Sequence, residues 1–127
     1  MGILEKFRLD GKKAFVTGGA RGIGKSIAQA LAEAGADVAI VDMDGETARQ
    51  TAGEIAQATG RQTLAVKADV TSPQDVDAMI ETVLAAFGRI DAAFCNAGIC
   101  INVPAEEMTL EQWKKVIDIN LTGVFLT

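Results

Sequence analysis

Short apolar runs alternate with amphipathic stretches along the whole chain, and this alternation restricts the fold more than any other feature. Lys13-Ala14-Phe15-Val16-Thr17 reads as a buried strand running into glycines. Between Gly22 and Ala34, Ile23, Ile27 and Leu31 recur every four residues, which predicts a helix face, and Gly35 stops that helix. Asp37 to Asp42 is a second strand, Asp44 to Thr59 a second helix ending at Gly60, and Gln62 to Lys67 a third, weaker strand. Ser72-Pro73 opens the next helix, with Ser at the cap and Pro in the first turn. Its inner face is the clearest in the chain: Val76, Met79, Ile80, Val83, Leu84 and Phe87, ending at Gly88. Ile90 to Cys95 is the fourth strand, Asn96 to Met108 a loop, and Thr109-x-x-Gln112 a capping box that starts a last helix.

The resulting order, βαβαβαβα, implies an α/β fold with a parallel sheet and helices on both faces. Right-handed crossovers place the first three strands as 3-2-1, and the fourth falls on the other side of strand 1. The expected architecture is a doubly wound sheet of about four strands, order 3-2-1-4, within one domain over residues 1–127. The reversal of strand order is where such sheets bind ligands.

Composition removes several function classes. The chain has no histidine, so imidazole metal sites and catalysis by a histidine base are excluded within it. Cys95 and Cys100 are too far apart for a C-x-x-C motif and read as two reduced, buried thiols; no metal site is expected. A net charge of -5 argues against a nucleic-acid partner. No run approaches the ~18 apolar residues of a membrane span, and the N-terminal residues carry no signal-peptide pattern, so no membrane association and a cytoplasmic location are expected.

The first strand leads into Gly18-Gly19-Ala20-Arg21-Gly22-Ile23-Gly24. A nucleotide pyrophosphate needs close backbone approach and N–H groups aimed at it, and glycines ahead of a helix N-terminus supply both. The spacing is G-x-x-x-G-x-G rather than G-x-G-x-x-G. Asp42 closes the second strand, 18 residues beyond Gly24, where a carboxylate can accept from the adenosine ribose hydroxyls and repel a 2′-phosphate. This favours NAD over NADP. Arg21 points the other way, since a loop guanidinium can pair with a 2′-phosphate.

Thr17-Gly18-Gly19-Ala20-Arg21-Gly22-Ile23-Gly24, Asn96-Ala97-Gly98 after the fourth strand, and Asn120 in Asn120-Leu121-Thr122-Gly123 together resemble the short-chain dehydrogenase/reductase family. The resemblance runs from Leu9 to the end of the chain and makes it the dinucleotide-binding half of a Rossmann-type domain. It implies that Gly18, Arg21, Gly22, Ile23 and Gly24 contact the pyrophosphate and adenosine ribose. Asp42 and Met43 would bound that ribose, and Asp69-Val70 would hold the adenine. Asn96, Ala97 and Gly98 would lie along the nicotinamide ribose. Cys95 departs from the family, in which many members carry a second Asn.

Asn120 falls at helical spacing within the apolar stripe Trp113, Ile117, Leu121, Val124 and Phe125. A buried amide without partners costs roughly 1–3 kcal/mol, so it needs a role. From the residues alone, a core Asn bonded to backbone and a catalytic Asn are equally open. The resemblance implies the second, with Asn120 holding a water in a proton relay.

The family's Ser and Tyr-x-x-x-Lys are not present, and the chain has no tyrosine. The expectation is an oxidoreductase half that binds NAD, with NADP as second choice. By itself it would be inactive on the small alcohol or ketone substrate, with a polyol or sugar alcohol favoured. The resemblance implies a homo-oligomer, a tetramer in the full-length parent, and the unpartnered faces of the last helix and the fourth strand predict self-association or a rearranged terminal helix. A non-catalytic nucleotide-binding or interaction module and a methyltransferase are the competing readings.

Overall fold

The computed structural model describes residues 1–127. Four parallel strands form one sheet in the order β3-β2-β1-β4, as the alternation requires. They are β1 (Lys13–Thr17), β2 (Asp37–Asp42), β3 (Thr63–Lys67) and β4 (Ala92–Phe94). Register pairs Phe15 with Ala39 and with Ala93, so β1 is central and β4 is an edge of three residues. The third and fourth strands are shorter than the apolar runs suggest, because Gln62, Ile90, Asp91 and Cys95 lie beyond the ladders.

The helices are α1 (Gly22–Glu33), α2 (Gly45–Thr59), α3 (Pro73–Phe87), α4 (Leu110–Ile117) and α5 (Gly123–Leu126). A π-helical turn, Asp118–Thr122, joins α4 to α5. Alternate strand residues feed two cores. Val16, Val38 and Ile40 pack with Ala28, Ala32, Ala48 and Ile55 of α1 and α2. Phe15, Ala39 and Val41 face the other way, toward Val76, Met79, Val83 and Phe87 of α3. Both faces of the sheet are thereby covered, which is why the central residues of β1 and β2, Ala14 to Val16 and Val38 to Val41, are all apolar.

The inner face of α1 differs from the expected one. Gly24, Ala28 and Ala32 are buried, whereas Ile27 and Leu31 are half-buried and Ile23 is exposed. Small residues let the helix come close to the sheet, and the larger side chains are displaced to its flanks. The cysteines also differ from expectation: both are free, but Cys95 is half-buried and Cys100 exposed. They follow the short edge strand, at the margin of the sheet.

At the N-terminal end of β2, the buried Asp37 gathers three partners. Lys13 Nζ lies 2.5 Å from Oδ2, and Arg61 Nη2 and the Gln62 N–H donate to Oδ1 at 2.9 and 3.0 Å. Burial pushes the Asp37 carboxyl up, but Lys13, the Gln62 N–H and Arg61 outweigh it and hold it below its ordinary value.

Candidate cofactor site

A cleft of about 420 Å³ opens at the C-terminal ends of the strands, between β1 and β4 and reaching over β2. Gly18, Arg21, Ile23, Gly24, Asp42, Met43, Asp69, Val70, Asn96, Ala97 and Gly98 all line it. Residues far apart in the chain thus converge at the point where strand order reverses. Gly22 and Asn120 do not line the cleft, and Asn120 is bonded to the lining residue Ile99.

The glycine loop is shaped by two close approaches. Gly18 has φ +64°, and a Cβ there would come 3.0 Å from the Ala97 Cα. A Cβ on Gly24 would lie 2.0 Å from the Gly18 carbonyl oxygen and 2.6 Å from the Asn96 amide nitrogen. No other residue type fits at Gly24 without moving the loop. The first N–H groups of α1 have no intrahelical acceptor. Side chains cap α2, α3 and α4, through Asp44, Ser72 and Thr109, while the N-cap of α1, Arg21, makes no such bond. An uncapped helix start beside a glycine-lined wall suits an anion.

The loop is held from three directions. Asp42 Oδ2 accepts from the Ala20 N–H at 3.2 Å, and the buried Thr51 donates to the Ala20 carbonyl at 2.6 Å. Asn96 donates to the carbonyls of Thr17 and Gly18 at 3.1 and 3.3 Å. The buried Thr17 hydroxyl accepts from the Ala97 N–H at 3.1 Å. Asn96-Ala97 therefore ties the end of β4 to the end of β1. Arg21 pairs with Asp44 and lies 3.3 Å from the Thr47 hydroxyl. The Thr47 hydroxyl and N–H, then the Arg21 guanidinium, hold the Asp44 carboxyl below its usual range.

Asn120 is not a buried amide in an apolar stripe. Its side chain is exposed to solvent and fully engaged: Oδ1 accepts from the Ile99 N–H and Nδ2 donates to the Ile99 carbonyl, both at 2.8 Å. The stripe does not pack inward, either in the helix before the π-turn, where Trp113 lies, or within and beyond the turn. Trp113, Leu121 and Phe125 are 56%, 64% and 84% exposed. Besides the Asn120–Ile99 bonds, Gly123, seated against Val70, and the half-buried Leu126 anchor that region to the body.

Sequence reading missed Thr17, Thr51 and Asp44, and the lining residues Val41, Ala68, Ile99 and Ile119. The pattern Asp44-x-x-Thr47 ahead of a helix would have marked Asp44 as the cap. Nothing local marks Thr51, whose partner is 31 residues away.

A 3-2-1-4 parallel sheet sandwiched by helices, with its cleft at the switch point, is a Rossmann-type fold. The sequence profile of the short chain dehydrogenase family matches residues 12–127, and the chain belongs to that family. Membership sets aside the methyltransferase reading. D-threitol dehydrogenase of Mycolicibacterium smegmatis is 43% identical over 120 residues, covering 94% of this chain and 46% of that protein. A short-chain type dehydrogenase/reductase from Mycobacterium marinum superimposes with a TM-score of 0.94 at 42% identity, over 99% of this chain and 49% of the other. The 3-ketoacyl-(acyl-carrier-protein) reductase of Brucella melitensis, solved with NADH, gives 0.86 at 40% identity, over 93% and 47%. The NADP complex of Pseudomonas aeruginosa RhlG gives 0.88 at 38% identity, over 94% and 46%. The chain spans about half the length of these relatives.

Proposed function

We propose that these residues form the cofactor-binding half of an NAD(P)-dependent oxidoreductase that takes NAD in preference to NADP. The observation that carries this reading is the pairing, in one cleft, of the glycine cradle Gly18/Gly24 with the strand-end carboxylate Asp42. The cradle admits a pyrophosphate to the start of α1, and Asp42 faces the position of an adenosine ribose. When bound, the nicotinamide would exchange a hydride with an alcohol or carbonyl carbon. This chain's part is to seat and orient the dinucleotide. Arg21, Gly22 and Ile23 carry the phosphate side, Met43, Asp69 and Val70 the adenine side, and Asn96, Ala97 and Gly98 the nicotinamide side.

Asn120 acts in this reading as a positioning residue. Its clamp on Ile99 holds the strand-four loop at the nicotinamide end, and, as in the family, Asn120 would hold the water of the proton relay. The substrate is a small alcohol or ketone. The likeness to D-threitol dehydrogenase supports a polyol. Because the chain has no tyrosine, it binds dinucleotide without turning over an alcohol by itself. The exposed apolar residues after α4 are proposed to be covered by further chain and by a second subunit, in a homo-oligomer.

Titration with NADH, NADPH and S-adenosylmethionine tests the reading. NADH is expected to bind tightest and S-adenosylmethionine not at all. Asp42→Ala is expected to narrow the NADH/NADPH preference, and an unchanged ratio would sink the role given to Asp42.

A further inference from the structure

Arg21 is the one basic residue lining the cleft, and its guanidinium is already engaged. Nη2 meets Asp44 Oδ2 and lies 3.3 Å from the Thr47 hydroxyl. Asp44 does not line the cleft. It is the cap of α2, where Oδ1 accepts from the Thr47 N–H at 3.0 Å and Oδ2 from the Thr47 hydroxyl at 2.7 Å. Its place is therefore set by α2 rather than by Arg21. Asp42 joins the same cluster, since its Oδ1 accepts from the Asp44 N–H at 3.1 Å. The guanidinium is thus bound to one carboxylate, Asp44, whose own backbone N–H is held by a second, Asp42.

A free guanidinium at this point would be a fork suited to phosphate oxygens. An exposed ion pair is a weak tether by itself. Here the tether begins from a carboxylate already fixed by two bonds to α2, so forming it does not require ordering Asp44. The same carboxylate adds a negative charge that any second phosphate must approach.

We infer that Asp44 is a specificity-determining residue: by holding Arg21 at the start of α2, it withholds the cleft's one cation from a phosphate on the adenosine ribose. The inference rests on the dinucleotide reading above and adds a second carboxylate to the preference assigned to Asp42. Asp42 excludes the extra phosphate by standing in its place, whereas Asp44 does so by occupying the residue that would welcome it.

Calorimetric titration of NAD⁺ and NADP⁺ into the unmodified chain, Asp44→Asn, and the double variant Asp44→Asn with Arg21→Ala tests this. Asparagine caps a helix as well as aspartate, so α2 is retained and the thermal midpoint checks it. Asp44→Asn is expected to tighten NADP⁺ about tenfold relative to NAD⁺, the effect of one charge-assisted hydrogen bond. The double variant is expected to lose that gain. An unchanged ratio in Asp44→Asn, with NAD⁺ still bound, would overturn the role of Asp44 alone. A gain that persists without Arg21 would overturn the tether and leave only charge repulsion. Failure of the unmodified chain to bind either dinucleotide would overturn the cofactor reading and this inference together.

Discussion

Thr51, in the middle of α2, donates its hydroxyl to the carbonyl of Ala20 in the glycine loop at 2.6 Å, and both residues are buried. The N–H of the same residue, Ala20, is held by Asp42. Both polar groups of one loop residue are thereby fixed from β2 and α2, so the shape of the loop depends on a residue that lies outside the cleft.

Thr51→Val keeps the shape of the side chain and removes the donor, leaving the Ala20 carbonyl buried and unpaired. The expected cost is about 1–3 kcal/mol, read by urea denaturation, together with weaker NADH binding. Thr51→Ser restores the donor and is expected to recover most of both. A Thr51→Val chain as stable as the original would show that the bond contributes nothing.

Two glycine-to-alanine changes should differ in sign. At Gly24 the new Cβ would sit 2.0 Å from the Gly18 carbonyl oxygen, so the loop must move. The expected loss is about 1–3 kcal/mol, with dinucleotide binding lost. At Gly53, within α2, no atom lies within 4 Å of the new Cβ. Removing a helix-interior glycine there is expected to stabilise by about 0.5–1 kcal/mol. Thermal melts of the two variants decide it, and a stabilised Gly24→Ala would contradict the cradle.

Asp37 makes stability depend on pH. Its carboxyl is held below the ordinary value of 3.8 in the folded chain, so the folded state favours the ionised form. That contribution is fully present above the unfolded value and is lost as pH falls through the lower, folded value. Asp37→Asn is expected to cost about 3 kcal/mol at pH 7, since Lys13 and Arg61 lose their shared partner. The difference should shrink as the pH falls below about 4. Denaturation at neutral and acid pH checks this, and a pH-independent difference would be inconsistent with the ion pair.

Trp113, Leu121, Val124 and Phe125 are all exposed around the π-turn. Apolar surface gathered in this way favours association. The chain is expected to scatter light as a species larger than a monomer at tens of micromolar. Leu121→Glu with Phe125→Glu is expected to shift it toward monomer. A monodisperse monomer before substitution would count against the association.

The strand order, the two-faced core, the glycine loop and Asp42 were legible because they depend on local pattern, whereas Met43, Asp69, Val70 and Asn96 to Gly98 followed only from the family resemblance. A run such as Asp37–Asp42 is apolar at every inner position, and an alternating βα chain has few ways to close. The inner face of α1 was misjudged because hydrophobicity alone favours Ile23, Ile27 and Leu31. Close helix–sheet packing instead selects the small residues Gly24, Ala28 and Ala32. Asn120 is exposed, contrary to its place in an apolar stripe, because that stripe, from Trp113 to Phe125, is not packed against the sheet.

By itself, the sequence determined the layered α/β architecture, the glycine loop at the end of β1 and the acid at the end of β2. Each is written in neighbouring residues and their periodicity. Only the tertiary structure decided that Arg21 is paired with Asp44, that Thr51 and Asp42 grip Ala20, and that Asn120 clamps Ile99. These are contacts between residues 21 to 31 positions apart. Such contacts depend on how far the loops and helices turn before they meet, and residue type alone does not encode that distance.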